Sequence, residues 1–145
     1  PHPELDILKV ATINMGIFGV KKFSGFTFSE LPFVIPNVPV SGTPSKVKGL
    51  DGWPDHLIPR NSVFQVAMME TALDLCRRGE CVGYFPEFVI SLHNEKVKSK
   101  YQLNRLSLPP KFKSTKQDVY MVKRKSDLES THFKKISRAF RKIGV

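Results

Sequence analysis

Two thiols, four imidazoles and one well-placed carboxylate are the residues of this chain that could do chemistry. Cys76 and Cys81 lie five positions apart. That is not the C-x-x-C spacing of a redox motif, and two sulfurs are too few for a zinc site or a disulfide framework. They read as two reduced thiols of the core, where free cysteine behaves as a small hydrophobe. His2, His56, His93 and His132 are scattered singly. None has an acid or a second histidine at metal-ligand spacing, so surface or capping roles are expected and no metal site. The serines stand in no G-x-S-x-G context and no glycine-rich phosphate loop is present. Glu87 could act as a general base, yet a first-turn glutamate complementing a helix dipole is the simpler reading. The expectation is therefore no catalytic residue, no cofactor and no enzyme.

Binding chemistry is better supported. Three short apolar runs end at Ile35-Pro36-Asn37-Val38, Val66-Ala67-Met68 and Tyr84-Phe85-Pro86. In an open α/β sheet, ligands sit beyond the carboxyl ends of parallel strands, where helix N-termini present free N–H groups and a positive dipole end. Pro36, Asn37, Val38, Val66, Ala67, Met68, Tyr84, Phe85 and Pro86 are accordingly the predicted ligand-binding residues. The expected ligand is small and anionic or polar.

The elements that must position these residues follow from pattern. Residues 8–20, "LKVATINMGIFGV", read as one strand with frayed ends. Ser29, Glu30 and Leu31 form one helical turn at most. "PFVIP" (32–36) is a short buried strand bracketed by prolines. Residues 37–60 carry four prolines and three glycines. They must be largely loop, which Trp53 anchors to the core.

Residues 61–67, "NSVFQVA", alternate like a strand. Met69, Ala72, Leu73 and Cys76 then fall on one helical stripe, with Glu70, Asp74 and Arg77 opposite. Arg77 and Arg78 suit the negative end of that helix, and Gly79 can take the left-handed conformation that closes it. "CVGYF" (81–85) is the next strand. The unit is β-α-β, so its strands should be parallel and buried on both faces. Pro86 can start a further short helix at once, because its missing N–H has no helical partner there. Residues 94–117 read as a polar, basic connector and 118–125 as a strand. Ser126 and Glu129 suggest a capping box, and Phe133, Ile136, Phe140 and Ile143 mark a last helix from about 127 to 143.

The 145 residues suffice for a sizeable core. No apolar run approaches the roughly 20 residues that cross a bilayer, and "PHPELD" lacks the features of a signal peptide, so a cytoplasmic protein without membrane contact is expected. The formal charge of +10 is uneven: residues 1–95 hold 8 Lys/Arg against 10 Asp/Glu, and residues 96–145 hold 15 against 3. A basic stripe can be a nucleic-acid footprint, but these lysines are not interleaved with stacking aromatics. A solvated face is the simpler account.

The block "PRNSVFQVAMMETALDLCRRGECVGYFPEFVI" resembles the effector-binding domain of LysR-type transcriptional regulators. There a strand, a helix and a segment G-x-G-[apolar]-x-x-[Leu/Phe]-P follow one another. Here that segment is Gly79-Glu80-Cys81-Val82-Gly83-Tyr84-Phe85-Pro86, with a longer spacing between the glycines. Upstream, "FTFSELPFVIP" is similar to the family's S-x-x-[Asp/Glu]-L and P-F-[apolar] element. Downstream, "VYMVKRKSDLESTHFKKISRAF" looks like its final strand and last helix, with the family's usual proline-containing loop replaced by the capping box.

The resemblance implies an α/β, three-layer Rossmann-like fold of the type-2 periplasmic-binding-protein kind. It implies lobe II over residues 1–106, a crossover over 107–117, and a strand and helix returning to lobe I over 118–145. The helix-turn-helix and the first half of lobe I are absent from these residues. The implied function is effector sensing that modulates transcription, with a small molecule in an interlobe cleft, self-association as homodimer or tetramer, and DNA contact only through the absent domain. A solute-binding protein of the same fold and a basic nucleic-acid-binding module are the alternatives.

Overall fold

The computed structural model describes residues 3–37, 50–112, 115–127 and 130–143, with side chains as far as Ala139. It divides into two compact units, one of residues 15–115 and one of residues 1–14 with 116–145. Strand β1 (Leu5–Gly19) runs through the division. The first half of β1 pairs with the C-terminal strand, from Leu5 opposite Arg124 to Asn14 opposite Lys116.

In the larger unit the strand order is β3-β2-β4-β1-β5. Here β2 is Pro32–Pro36, β3 is Asn61–Val66, β4 is Val82–Pro86 and β5 is Asn104–Leu106. β2 pairs in parallel with both β3 and β4, whereas β1 is antiparallel to β4 and β5. Helix α1 (Met69–Arg77) makes the crossover from β3 to β4; of its expected apolar stripe Ala72, Leu73 and Cys76 are buried, while Met69, in the first turn, is exposed.

Its end is a Schellman motif. Gly79, at φ 77°, donates its N–H to the Cys76 carbonyl at 2.9 Å, and Glu80 donates to Leu75 at 3.1 Å. β4 follows directly, buried along its whole length. Pro86 then caps α2 (Glu87–Lys96) with φ −61°. A helix, a strand and a second helix thus fit into so few residues because a glycine ends the first helix and a proline begins the second.

The expectation that the parallel strands are buried on both faces is met by β4 and not by β3. β3 is the sheet's edge, and five of its six residues are exposed. The stretch read as a connector is also more structured than expected. α2 extends to Lys96, a 3₁₀ turn spans Ser99–Tyr101, and β5 pairs with β1 from Leu106 opposite Ile17 to Asn104 opposite Gly19. The Asn94 side chain organises this stretch, accepting from the Leu103 N–H at 2.9 Å and donating to its carbonyl at 3.0 Å.

Side chains of alternate parity separate the two faces of the sheet. Phe18, Val34, Cys81 and Phe85 join Ala72, Leu73 and Cys76 of α1 and Ile90 of α2 in one buried cluster. The opposite parity, Phe33 and Tyr84, meets Trp53, which stacks between Phe28 and Phe112 at centroid distances of 5.6 and 4.6 Å. Both helices therefore pack on one face. Aromatic residues carried by loops cover the other.

The smaller unit contains β6 (Lys116–Arg124), antiparallel to the first half of β1, and α3 (Thr131–Ile143). The helix begins four residues later than the capping box suggests. The Ser130 hydroxyl accepts the Phe133 N–H at 3.1 Å, while Ser126 lies in the turn after β6 and Glu129 is outside the described residues. Two serines compete for the same capping role, and the turn selects the later one.

Candidate functional site

Because β2, β3 and β4 are parallel, their carboxyl ends reach one rim, with Pro36 opposite Val66 in the ladder. At this rim lies an open cavity of about 350 Å³. Six of the nine predicted residues line it: Pro36, Val66, Ala67, Met68, Tyr84 and Phe85. Asn37 continues the ladder instead, donating its N–H to the Val66 carbonyl at 2.9 Å, and its side chain is exposed. Pro86 is buried at the start of α2 and is not in the lining, and Val38 lies outside the described residues.

The structure adds residues that the sequence reading missed. Val34, Ile35, Leu50, Met69 and Ala72 complete the apolar wall, and Asp51 adds a carboxylate. The "LDGW" stretch carried a local signal for Asp51. Its side chain accepts the N–H of Trp53, two residues on, at 3.1 Å, the geometry that aspartate favours in turns.

Asp51 is not free to meet a ligand as a bare charge. Arg60 places Nη1 2.6 Å from Asp51 Oδ2, and its Nε and Nη2 grip Asp55 at 2.9 and 2.7 Å. Only 1% of the Arg60 side chain is exposed, and its guanidinium lies 5.3 Å from the Trp53 ring centroid. Burial opposes its charge, but the hydrogen bonds it donates to Asp55 and Asp51, with the attraction of the two carboxylates, overcome this and raise its pKa. This cluster pins the loop 50–60 beside the cavity. The Trp53 indole N–H, donated to the Ile58 carbonyl at 2.8 Å, closes the same loop from within.

Two polar features belong to the lining. Tyr84 is buried, and burial together with the nearby Asp51 charge pushes its phenol up to about 12, so it stays a neutral donor at physiological pH. The second is the start of α1, at Met68 and Met69, which no side chain caps. Its first-turn N–H groups and dipole favour a hydrogen-bond acceptor. Among the described lining residues there is no cationic side chain.

Glu87 does not reach this cavity. It stands in the first turn of α2, as expected, and forms an ion pair with Arg105 that the sequence did not suggest. A wider hollow of about 560 Å³ in the smaller unit is lined by Asp6, Lys123, Phe133 and Arg138 among others, and none of the predicted residues lies there. Among the described residues no group of histidine, cysteine and carboxylate side chains is placed to hold a metal ion, and no helix is long and apolar enough to cross a membrane.

No family model matches the sequence, and no curated protein matches it significantly. Solved structures do match. Full-length CbnR in complex with its target DNA superposes with a TM-score of 0.64 at 16% identity, over 98% of this chain and 50% of CbnR. The regulatory domain of NMB2055 (MetR), a LysR family regulator from N. meningitidis, gives 0.65 at 11% identity over 99% of this chain and 68% of that one. The regulatory domain of HypT from Salmonella typhimurium gives 0.65 at 11% identity, covering 98% and 68%. The chain thus spans about half the length of CbnR and about two thirds of these regulatory domains. What the likeness establishes is the fold, which is that of the effector-binding domain of LysR-type transcriptional regulators.

Proposed function

We propose that this chain is the effector-sensing part of a transcriptional regulator of the LysR type. One observation carries the proposal: a single cavity at the carboxyl ends of β2, β3 and β4 gathers six residues chosen from sequence as ligand-binding. In this reading residues 15–115 correspond to lobe II, and the first half of β1 with β6 and α3 to the part of lobe I that the chain contains. DNA would be contacted by a helix-turn-helix elsewhere in the whole regulator, in the cytoplasm, and the regulator would self-associate.

The ligand is a small molecule whose apolar body packs on Val66, Ala67, Met68 and Phe85. Its oxygen acceptor faces the Tyr84 hydroxyl and the first turn of α1. Binding there favours one conformation of the regulator over another, and the DNA-binding part follows in proportion to the difference in affinity.

Trp53, the only tryptophan, touches Tyr84 at a centroid distance of 5.0 Å and so reports on the site by fluorescence. Titrating the chain with small aromatic and aliphatic carboxylates and their neutral amides should give a saturable change for some of them. Ala67→Trp should abolish it while leaving the circular dichroism unchanged. Tyr84→Phe should weaken it about fivefold, the worth of one hydrogen bond. An Ala67→Trp protein that responds like the wild type would rule this cavity out.

A further inference from the structure

Cys76 and Cys81 are both fully buried, and their sulfurs lie 3.8 Å apart, one S–H donating to the other. They are the chain's only cysteines, so each has one possible intrachain partner. Cys76 sits in the last turn of α1 and Cys81 just before β4. The residues between them form the turn around Gly79. A disulfide requires an S–S separation of about 2.05 Å, so the sulfurs must approach by roughly 1.8 Å. Phe18, Val34, Leu73 and Phe85 belong to the same buried cluster as the pair.

We propose that Cys76 and Cys81 are a redox pair, which a peroxide oxidises to an intrachain disulfide joining the end of α1 to the start of β4. Cys81 is the attacking thiolate. Hydrogen bonding from Cys76 lowers its pKa, while the same bond and burial raise that of Cys76. The Cys81 sulfur attacks one peroxide oxygen, forming an S–O bond as the O–O bond breaks, and the departing hydroxide takes up a proton as water. Cys76, having lost its proton, then attacks the sulfenic sulfur of Cys81. The S–S bond forms, the S–O bond breaks, and the second hydroxide leaves as water. Two thiols lose two electrons and two protons in all, and the peroxide is reduced to two waters.

Neither sulfur is exposed, so the reaction passes through local opening of the 77–80 turn. The bond ties together the two elements whose far ends, Met69 and Phe85, line the cavity.

The test treats the whole chain with excess hydrogen peroxide, in buffer and in urea below the unfolding transition. Alkylation under denaturing conditions and mass spectrometry follow. The expected product is a monomer about 2 Da lighter with neither cysteine alkylated, reversed by dithiothreitol and formed faster in the urea sample. Cys76→Ser should instead accumulate a sulfenic acid at position 81, trapped by dimedone. The wild-type measurement stands without that variant should it fail to fold. Full alkylation of both cysteines after peroxide in both solvents overturns the proposal. So does oxidation to sulfinic or sulfonic acid without a disulfide, or a disulfide formed only between chains.

Discussion

Arg60 holds Asp51 at 2.6 Å, with 1% of the arginine side chain and 9% of the aspartate side chain exposed. A charge pair this far from water persists only because each partner neutralises the other and a second carboxylate, Asp55, fills the remaining donors. Removing Arg60 leaves Asp51 buried without its countercharge. Arg60→Met should therefore cost about 3–5 kcal/mol in urea denaturation followed by Trp53 fluorescence. Arg60→Lys should recover only part of this, because an ammonium cannot grip two carboxylates with a planar fork. Adding Asp51→Leu to Arg60→Met should restore some stability. A loss of under about 1 kcal/mol for Arg60→Met would show the pair to be dispensable.

Tyr84 gives the pH dependence. Burial, and then the Asp51 charge, raise its phenol from an ordinary 10.0 to about 12. The folded state thus holds its proton to higher pH than the unfolded chain does. The stabilisation is complete below pH 10 and is lost as pH rises toward 12. In ultraviolet titration one of the three tyrosines should ionise late, and Tyr84→Phe should remove that late step. The variant should also lose stability less steeply than the wild type across this window. Wild-type and Tyr84→Phe curves that differ only by a step near 10.0 would contradict the burial of this phenol.

What the sequence made legible was local or periodic. Gly79 as a helix terminator and Ala72, Leu73 and Cys76 of the apolar stripe depend on residues within one turn and are in place, whereas Met69 of that stripe is exposed and Pro86 precedes α2 as its extended N-cap rather than occupying its first turn. The rim of strand ends followed from those elements together. On the second face of the sheet only the anchoring of the loop by Trp53 was legible, and not its partners. Trp53 meets Phe28 and Phe112 from distant parts of the chain, and no spacing rule joins positions so far apart. Arg60 was invisible for the same reason: alone it is one basic residue in a loop, and only folding brings Asp51 and Asp55 to it. The start of α3 went to Ser130 over Ser126 because a capping pattern fixes which residues can cap, not which one the preceding turn delivers.

Gly83 separates packing from backbone effects. A Cβ there would stand 2.3 Å from Phe85 Cε2, and Phe85 is itself buried between the sheet and the helices. Gly83→Ala should cost about 1–3 kcal/mol by overpacking. Shrinking the obstacle with Phe85→Leu in the same chain should make the alanine better tolerated. Gly79→Ala should destabilise by a different route, about 1–2 kcal/mol for a left-handed residue bearing a Cβ, and no neighbouring substitution should relieve it. Urea denaturation of the four variants checks both. Equal costs for Gly83→Ala with and without Phe85→Leu would remove the steric account.

Ile7 and Val122 face each other across β1 and β6, with 47% and 51% of their surfaces exposed, and Tyr120 lies on the same side of the ribbon at 53%. The other side of β6 is covered: Met121 accepts the Ser137 hydroxyl of α3 at 3.4 Å, and Lys123 lies 5.6 Å from the Phe133 ring centroid. An uncovered cross-strand apolar pair on a two-stranded ribbon invites a partner surface. For the 145-residue chain by itself the available partner is a second copy. Light scattering should give an average mass that rises with concentration. Val122→Lys should return it to the monomer value without lowering the melting temperature, because the lysine stem can lie along the ribbon with its charge in water. A wild-type chain that stays monomeric at every concentration would show that this face needs no cover.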